Sequence, residues 1–223
     1  MKYIPVEMIE IFTKNSFVLW FLMVFFLCFG QSLIAQEENL LLNPSFEGSK
    51  AKMGQVPLHW HDEGYAGASP PDVHSAKSKM FGVSTQPIHG DYFLGMVVRS
   101  NGTNEALGQK LAKPLQKDTI YTFNVYLTRS DFYYSLDQLT QKGAHFNTPI
   151  RLRIWARNAQ KQAFFLGQTP LIEHLNWEKY AFQFKAEDDF VEIVLEAYYA
   201  VSKEEAYNGN ILLDGCELTK KKE

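Results

Sequence analysis

The 223-residue chain carries 22 lysines and arginines against 25 aspartates and glutamates, a net charge of −3 with its histidines neutral. That balance supplies no electrostatic reason to bind nucleic acid or an anionic membrane surface. Of the two cysteines, Cys28 lies in an apolar leader, so removal of the leader would leave Cys216 alone and no internal disulfide.

Residues 17–29, FVLWFLMVFFLCF, form an uncharged apolar run of signal-peptide length. Gly30-Gln31-Ser32 breaks it, and a small residue, Ala35, follows. The expected organisation is a signal peptide over 1–35 and one domain over 36–223, exported to the periplasm, the outer cell surface or the medium. Carried on to Ala35 the run reaches nineteen residues, so an uncleaved anchor stays open. After cleavage no stable membrane insertion is expected. Phe26 and Leu27 are too large to make Cys28 a lipidation site.

Beyond the leader, NLLLNPSFEG (39–48) reads as a strand that ends in turn formers. Residues 50–90 mix Gly, Pro, His and Ser irregularly. YFLGMVVRS (92–100) is apolar on both faces and reads as a central or covered strand. In 121–128, Tyr121, Phe123, Val125 and Leu127 alternate with polar residues, the mark of a half-buried strand. Residues 129–149 join two strands by a connection far longer than a hairpin needs, rich in aromatics; an ordered loop with one helical turn over 135–141 is expected. Alternation returns in IRLRIWARN (150–158), in 178–186 and in 191–200, and NILLDGCEL (210–218) is again apolar on both faces. Many short strands with one polar face predict an all-β fold, an antiparallel β-sandwich of jelly-roll type in one domain.

Several motifs carry a resemblance. Asn43-Pro44-Ser45-Phe46-Glu47 opens the domain, His89-Gly90-Asp91-Tyr92-Phe93 opens an apolar strand, and residues 115–123 read L-x-x-D-x-x-Y-x-F. Ile211-Leu212-Leu213-Asp214 lies in the last strand. As a set, over about residues 39–218, they resemble galactose-binding-like jelly rolls, especially the carbohydrate-binding modules of xylanases and laminarinases. Asp118 stands where glycine is usual. NPSFE, SPPDVH, GDYFLGMV, ALGQKLAKPL and YNGNILLD are also similar to a module of exported proteins from gliding, adherent Gram-negative bacteria. The resemblance implies a structural Ca²⁺ shared by Glu47 and Asp214, with backbone carbonyls near Asn43 and around Gly90-Asp91 completing the shell. Both carboxylates are hard oxygen ligands, as Ca²⁺ requires. The plainer reading has Glu47 capping a turn and Asp214 forming an Asx turn before Gly215.

For ligand binding, the alternation of 150–158 sets Trp155 opposite the apolar face, flanked by Arg151, Arg153 and Arg157. An aromatic platform of Trp155 with Tyr133 and Tyr134 from the long loop suits the apolar face of a sugar, with Arg151 and Arg153 selecting hydroxyls or acidic groups. The alternative engages the arginines in cross-strand ion pairs with Glu192 and Glu196. His59 and His61 match no zinc spacing, and Asp131 and Asp137 read as solvated loop acids. No Gly-x-Ser-x-Gly or Walker loop occurs. The expected function is an exported, non-catalytic carbohydrate-binding module whose partner is a glycan or polysaccharide. An adhesion or cell-envelope module with an envelope protein as partner is the alternative, and a glycan-active enzyme the third. Spatially paired carboxylates in a cleft would favour that third reading.

Overall fold

Strands form where apolar and polar residues alternate, and they assemble into two antiparallel sheets. In the computed structural model, residues 38–48, 50–200 and 206–221 are described; the expected signal peptide, its expected cleavage point and Cys28 lie outside them. One sheet, called here the arginine sheet, runs β1 (His61–Asp62), β4 (Ala106–Leu115), β11 (Phe190–Tyr198), β8 (Arg151–Arg157), β9 (Ala163–Gln168). The other runs β10 (Glu178–Lys185), β5 (Ile120–Thr128), β12 (Gly209–Lys220), β3 (Tyr92–Val98), β2 (Asp72–Ser75). A separate hairpin pairs β6 (Tyr134–Leu136) with β7 (Gly143–His145). The expected jelly-roll β-sandwich is therefore the fold. Among the described residues no helix is long and apolar enough to cross a membrane.

The core lies between the sheets. Leu94, Met96 and Val98 of β3, Phe123, Val125 and Leu127 of β5, and Ile211 and Leu213 of β12 meet Leu152, Ile154 and Ala156 of β8 and Ile193, Leu195 and Ala197 of β11. In β12 the inward series jumps from Leu213 to Cys216, three residues instead of two. A register shift between Asp214 and Glu217 absorbs the extra residue, with Gly215 at φ +56°.

The N-terminal segment forms no named strand but joins both sheets. Leu40 donates to the Leu218 carbonyl, the Asn39 side chain bonds Cys216 and Leu218, and Cys216 donates to the Pro44 carbonyl. From the other sheet, the buried Gln109 side chain accepts from Leu42 N–H and donates to its carbonyl. Asn43 and Phe46 both take left-handed backbone angles, which turns the Phe46 ring inward onto Trp60 at 5.5 Å. The turn formers of NPSFEG thus insert one aromatic into the core.

A second apolar cluster covers the outer face of the β12 sheet: Phe93, Val97 and Leu212 lie under Val83, Tyr133 and Phe146. Within 135–141, Ser135 and Leu136 complete β6, and the expected helical turn is confined to 137–141, where Gln141 N–H donates to the Asp137 carbonyl at 2.9 Å ahead of β7. Asp137 organises that turn and is no solvated acid. One of its oxygens accepts from Leu139 and Thr140 N–H, and the other from Ser100 and Asn208 side chains. Asn210 of β12 bonds Ser130 and the Phe146 carbonyl, tying both ends of the long connection to the sheet.

His74 of β2 sits under this cover, stacked on Phe93 at 5.3 Å, in room that Gly95 leaves by lacking a Cβ. Neither ring nitrogen bonds a described protein group. Burial pulls its pKa down to about 4, so the fold holds it neutral while an unfolded chain would protonate it near 6.5. His74 therefore destabilises the fold as pH falls from about 6.5 towards 4, by at most ~1.4 kcal/mol per unit. Glu105 and Asp214, whose carboxyls burial raises, act in the opposite direction. Thermal unfolding of wild type and His74→Leu at pH 7 and pH 5 separates these contributions. The variant is expected to lose less melting temperature on acidification than wild type, and an equal loss would disprove the role given to His74.

Candidate functional site

The outer face of the arginine sheet is exposed at its β9 edge, where Phe165 lies, and partly so at Trp155, while Val194 and Gly108 are buried, Gly108 beneath His61 and Glu63. Cross-strand register places Gly108, Val194, Trp155 and Phe165 in one row across β4, β11, β8 and β9. Charged residues occupy the rows on either side: Lys110, Glu192 and Arg157 on one, Glu196 and Arg153 on the other. Phe165 is half exposed and meets the Trp155 ring edge-on at 5.0 Å. The Trp155 indole N–H donates to Glu196 at 2.8 Å, and Asn104 donates to the other oxygen of that carboxylate. The indole orientation is thereby fixed by the hydrogen bond as well as by packing.

Around this row the charges divide their roles. Arg157 bridges Glu192 at 3.2 Å and Glu63 at 2.7 Å, and His61 contacts the remaining oxygen of each. The Arg157 guanidinium holds the Glu63 carboxyl below its usual range. The Arg153 guanidinium carbon lies over the Tyr198 ring, 3.2 Å from its centroid. Among the described residues neither Arg151 nor Arg153 pairs with an acid. Among the described residues the expected cross-strand pairing therefore forms only at Arg157–Glu192, and Arg151 and Arg153 stand beside the aromatic row without such a pair.

Tyr133 and Tyr134 do not join this platform. Both belong to the hairpin region on the outer face of the opposite sheet. Tyr133 is buried, its ring stacked on Phe81 at 4.8 Å and its hydroxyl donating to Asp72 at 2.9 Å. Tyr134 is exposed, with its ring edge against His145 at 5.1 Å. The loop covers the sheet whose outer face is apolar, where burial is favourable, rather than the charged face around Trp155.

A polar constellation not anticipated from the sequence lies beneath that hairpin. Asp72, Arg99, Glu105 and Tyr133 are each at least nine-tenths buried at the base of a cleft of about 230 Å³. Asp72 accepts from Gly54 N–H at 2.7 Å and from Tyr133, and Glu105 accepts from Val97 N–H at 3.0 Å and from Arg99. Arg99 also donates to the Ser69 hydroxyl at 2.7 Å and to the Ser69 carbonyl. Burial pushes the Glu105 carboxyl up to about 8 against the pull of Arg99, and raises Asp72 as well.

The residues assigned to a cation divide. Glu47 accepts from Asp91 and Tyr92 N–H at 3.0 Å each, and Asp214 accepts from Ile88 and His89 N–H at 2.9 Å each. The two carboxylates grip one loop, 88–92, and a Cβ at Gly90 would collide with Glu47. Asp214 also accepts from Gly215 N–H, one residue on; this is not the Asx turn of the plainer reading, which needs the N–H two residues on. Burial raises the Asp214 carboxyl to about 6, against the backbone N–H groups of His89, Ile88 and Gly215 that pull it down. Two hard carboxylates on one loop, one of them buried, suit Ca²⁺ in donor chemistry. Asn43 does not fit the role given to it. Its carbonyl already accepts from Phe46 N–H and the Trp60 indole, and its amide donates to the Glu47 and Leu58 carbonyls.

No family model matches the sequence, and neither does any curated protein. Solved structures share the fold. An arabinose-bound α-L-arabinofuranosidase aligns over 82% of this chain with a TM-score of 0.55 and 10% identity. This chain spans only 26% of that protein's length. A cyclase from Fischerella sp. TAU aligns over 83% of this chain and 98% of its own, with a TM-score of 0.52 and 13% identity. The N-terminal CBM22-1–CBM22-2 tandem domain of Xyn10C from Paenibacillus barcinonensis aligns over 86% of this chain and 47% of its own, with a TM-score of 0.50 and 14% identity. At these identities the likeness is one of fold: the jelly-roll sandwich read from the motifs is present, and it is shared by binding modules and enzymes alike.

Proposed function

We propose that this chain is an exported, non-catalytic carbohydrate-binding module whose glycan lies along the Gly108–Val194–Trp155–Phe165 row. The observation that carries the reading is an aromatic pair at the accessible part of a sheet face, Trp155 held by Glu196 and Phe165 half exposed, flanked by two arginines that pair with no acid among the described residues. Sugars present C–H faces that aromatic rings desolvate and hydroxyls that guanidinium groups can bond. The row serves both needs. A carbohydrate-binding tandem among the fold's relatives supports the same reading. The apolar leader supports export.

An array of neutral and acidic polysaccharides, followed by calorimetry on the best ligand, tests the proposal. Trp155→Ala is expected to weaken binding at least about tenfold, or ~1.4 kcal/mol, and Phe165→Ala to weaken it less. Tyr134→Ala, on the opposite face, is expected to leave affinity unchanged. Retention of full affinity by a folded Trp155→Ala protein would refute the site. Absence of any glycan ligand, together with capture of an envelope protein through this face, would favour the adhesion reading.

The proposal includes a Ca²⁺ ion at Glu47 and Asp214 that pins loop 88–92 to β12. A cation there would offset the burial cost of the Asp214 carboxylate. Bound only by the native state, Ca²⁺ at 100 times its Kd would add about 2.7 kcal/mol of stability. Melting temperature is expected to rise in calcium over chelator for wild type and not for Asp214→Asn. Identical melting of wild type in both conditions rules the ion out.

A further inference from the structure

The cleft beneath hairpin β6–β7 lies on the opposite side of the sandwich from Trp155 and is built differently. Its base holds two carboxylates, one guanidinium and one phenol, all sealed from bulk water except through the opening. Such a group is costly to bury, and replacing buried ion pairs by apolar residues is often neutral or stabilising. The sandwich core, on the other side of the sheet, does not require it. Titratable groups displaced by burial and gathered in a cleft mark a candidate binding site.

The hydrogen-bond inventory indicates what the cleft would accept. Arg99 donates through Nη2 to Glu105 and both Ser69 oxygens and through Nη1 to Thr103, so two of its five N–H groups, Nε–H and one on Nη1, make none of these bonds. The Tyr133 proton is directed at Asp72. Each carboxylate oxygen of Asp72 and Glu105 accepts one bond, and a carboxylate can accept about four. Acceptors are in surplus, so a ligand must bring donors. The Glu105 carboxyl, raised to about 8, holds a proton at pH 6.5, and one carboxylate then balances one guanidinium. An anion would add only acceptors and a charge to desolvate, whereas a cation can take the place of that proton and release it on binding. Phe81, Val97 and Phe146 provide apolar walls. The volume is below the ~300–1,000 Å³ of pockets for drug-sized ligands, and suits one six-membered ring.

We propose that this cleft is a second binding site, independent of the Trp155 face, for a single donor-rich ring without negative charge: an amino sugar residue rather than a uronic acid. The ammonium and hydroxyl protons of the ring would bond the free lone pairs of Asp72 and Glu105, and its C–H face would lie on the aromatic wall. The exposed Leu136, at the cleft's lining, brings a side chain close to the ligand without taking part in the buried network.

Calorimetric titration of the full chain at pH 6.5 with glucosamine, glucose and glucuronate tests this. Glucosamine is expected to bind several-fold more tightly than glucose, with glucuronate giving no saturable heat. Leu136→Glu should tighten glucosamine binding and Leu136→Lys weaken it, each by about threefold for one added charge near the site. Trp155→Ala should leave glucosamine binding unchanged, so that failure of the polysaccharide reading and failure of this one remain distinguishable. Glucuronate binding as tightly as glucosamine, no binding of any ring, indifference to both Leu136 variants, or loss of glucosamine binding in Trp155→Ala would each overturn the assignment. So would release of reducing ends from an amino-sugar oligomer that Glu105→Gln abolishes, since the cleft would then be catalytic.

Discussion

Strand β12 lies in the middle of its sheet and is buried on both faces from Gly209 to Asp214, so its outward side chains need partners in whatever covers them. Three successive outward side chains meet that need in three ways. Asn210 holds the ends of the long connection, Leu212 supplies its apolar floor, and Asp214 grips loop 88–89 by backbone N–H groups. The hairpin, the buried histidine and the cleft all follow from covering this one strand. A cover made of loop and hairpin fits less closely than a second sheet, and the cleft is a space it leaves.

The arginine sheet meets the opposite condition. Its outer face is charged, and cross-strand pairing at Arg157, Glu192, Glu63 and His61 satisfies it without a cover. The aromatic row can therefore stay accessible. Trp155 is kept from collapsing onto neighbouring chain by the Glu196 bond and by packing against Phe165. The two outer faces divide the molecule's chemistry: one presents flat apolar surface between charges, the other encloses charge within apolar walls.

Much of this was legible in the sequence, because period-two alternation maps directly onto burial. Strands β5, β8, β10 and β11 follow from it, and the doubly apolar stretches 92–98 and 210–214 signal that something covers their sheet. Strand β4 was harder to see. After Ala106–Gln109, buried without alternation, it continues with exposed residues that look like loop. The orientation of Trp155 away from the core is legible because it depends on local alternation alone. Its supposed partners Tyr133 and Tyr134 were misplaced because a long connection can fold over either sheet, and only the outer face of β12 decides which. Arg99 and Glu105 read as the polar ends of a turn, RSNGTNE. Nothing local reveals that the turn is roofed by residues 30 and more positions away, or that Asp72 joins it.

The place of β12 also constrains how the chain can fold. It is the last strand described, yet it pairs with β3 on one side and β5 on the other. Until it is synthesised, both of those strands have an unpaired edge and an apolar surface, and neither half of the sheet is complete. The loops that close onto Asn210 and Asp214 have no anchor before then. Folding from the N-terminus outward is thus blocked, and the sheet forms through contacts between distant parts of the chain, the kind of topology that folds slowly. During that interval the open edges of β3 and β5 are the places where one copy would pair with another. A truncation anywhere before β12 removes the middle of the sheet, not an end of it.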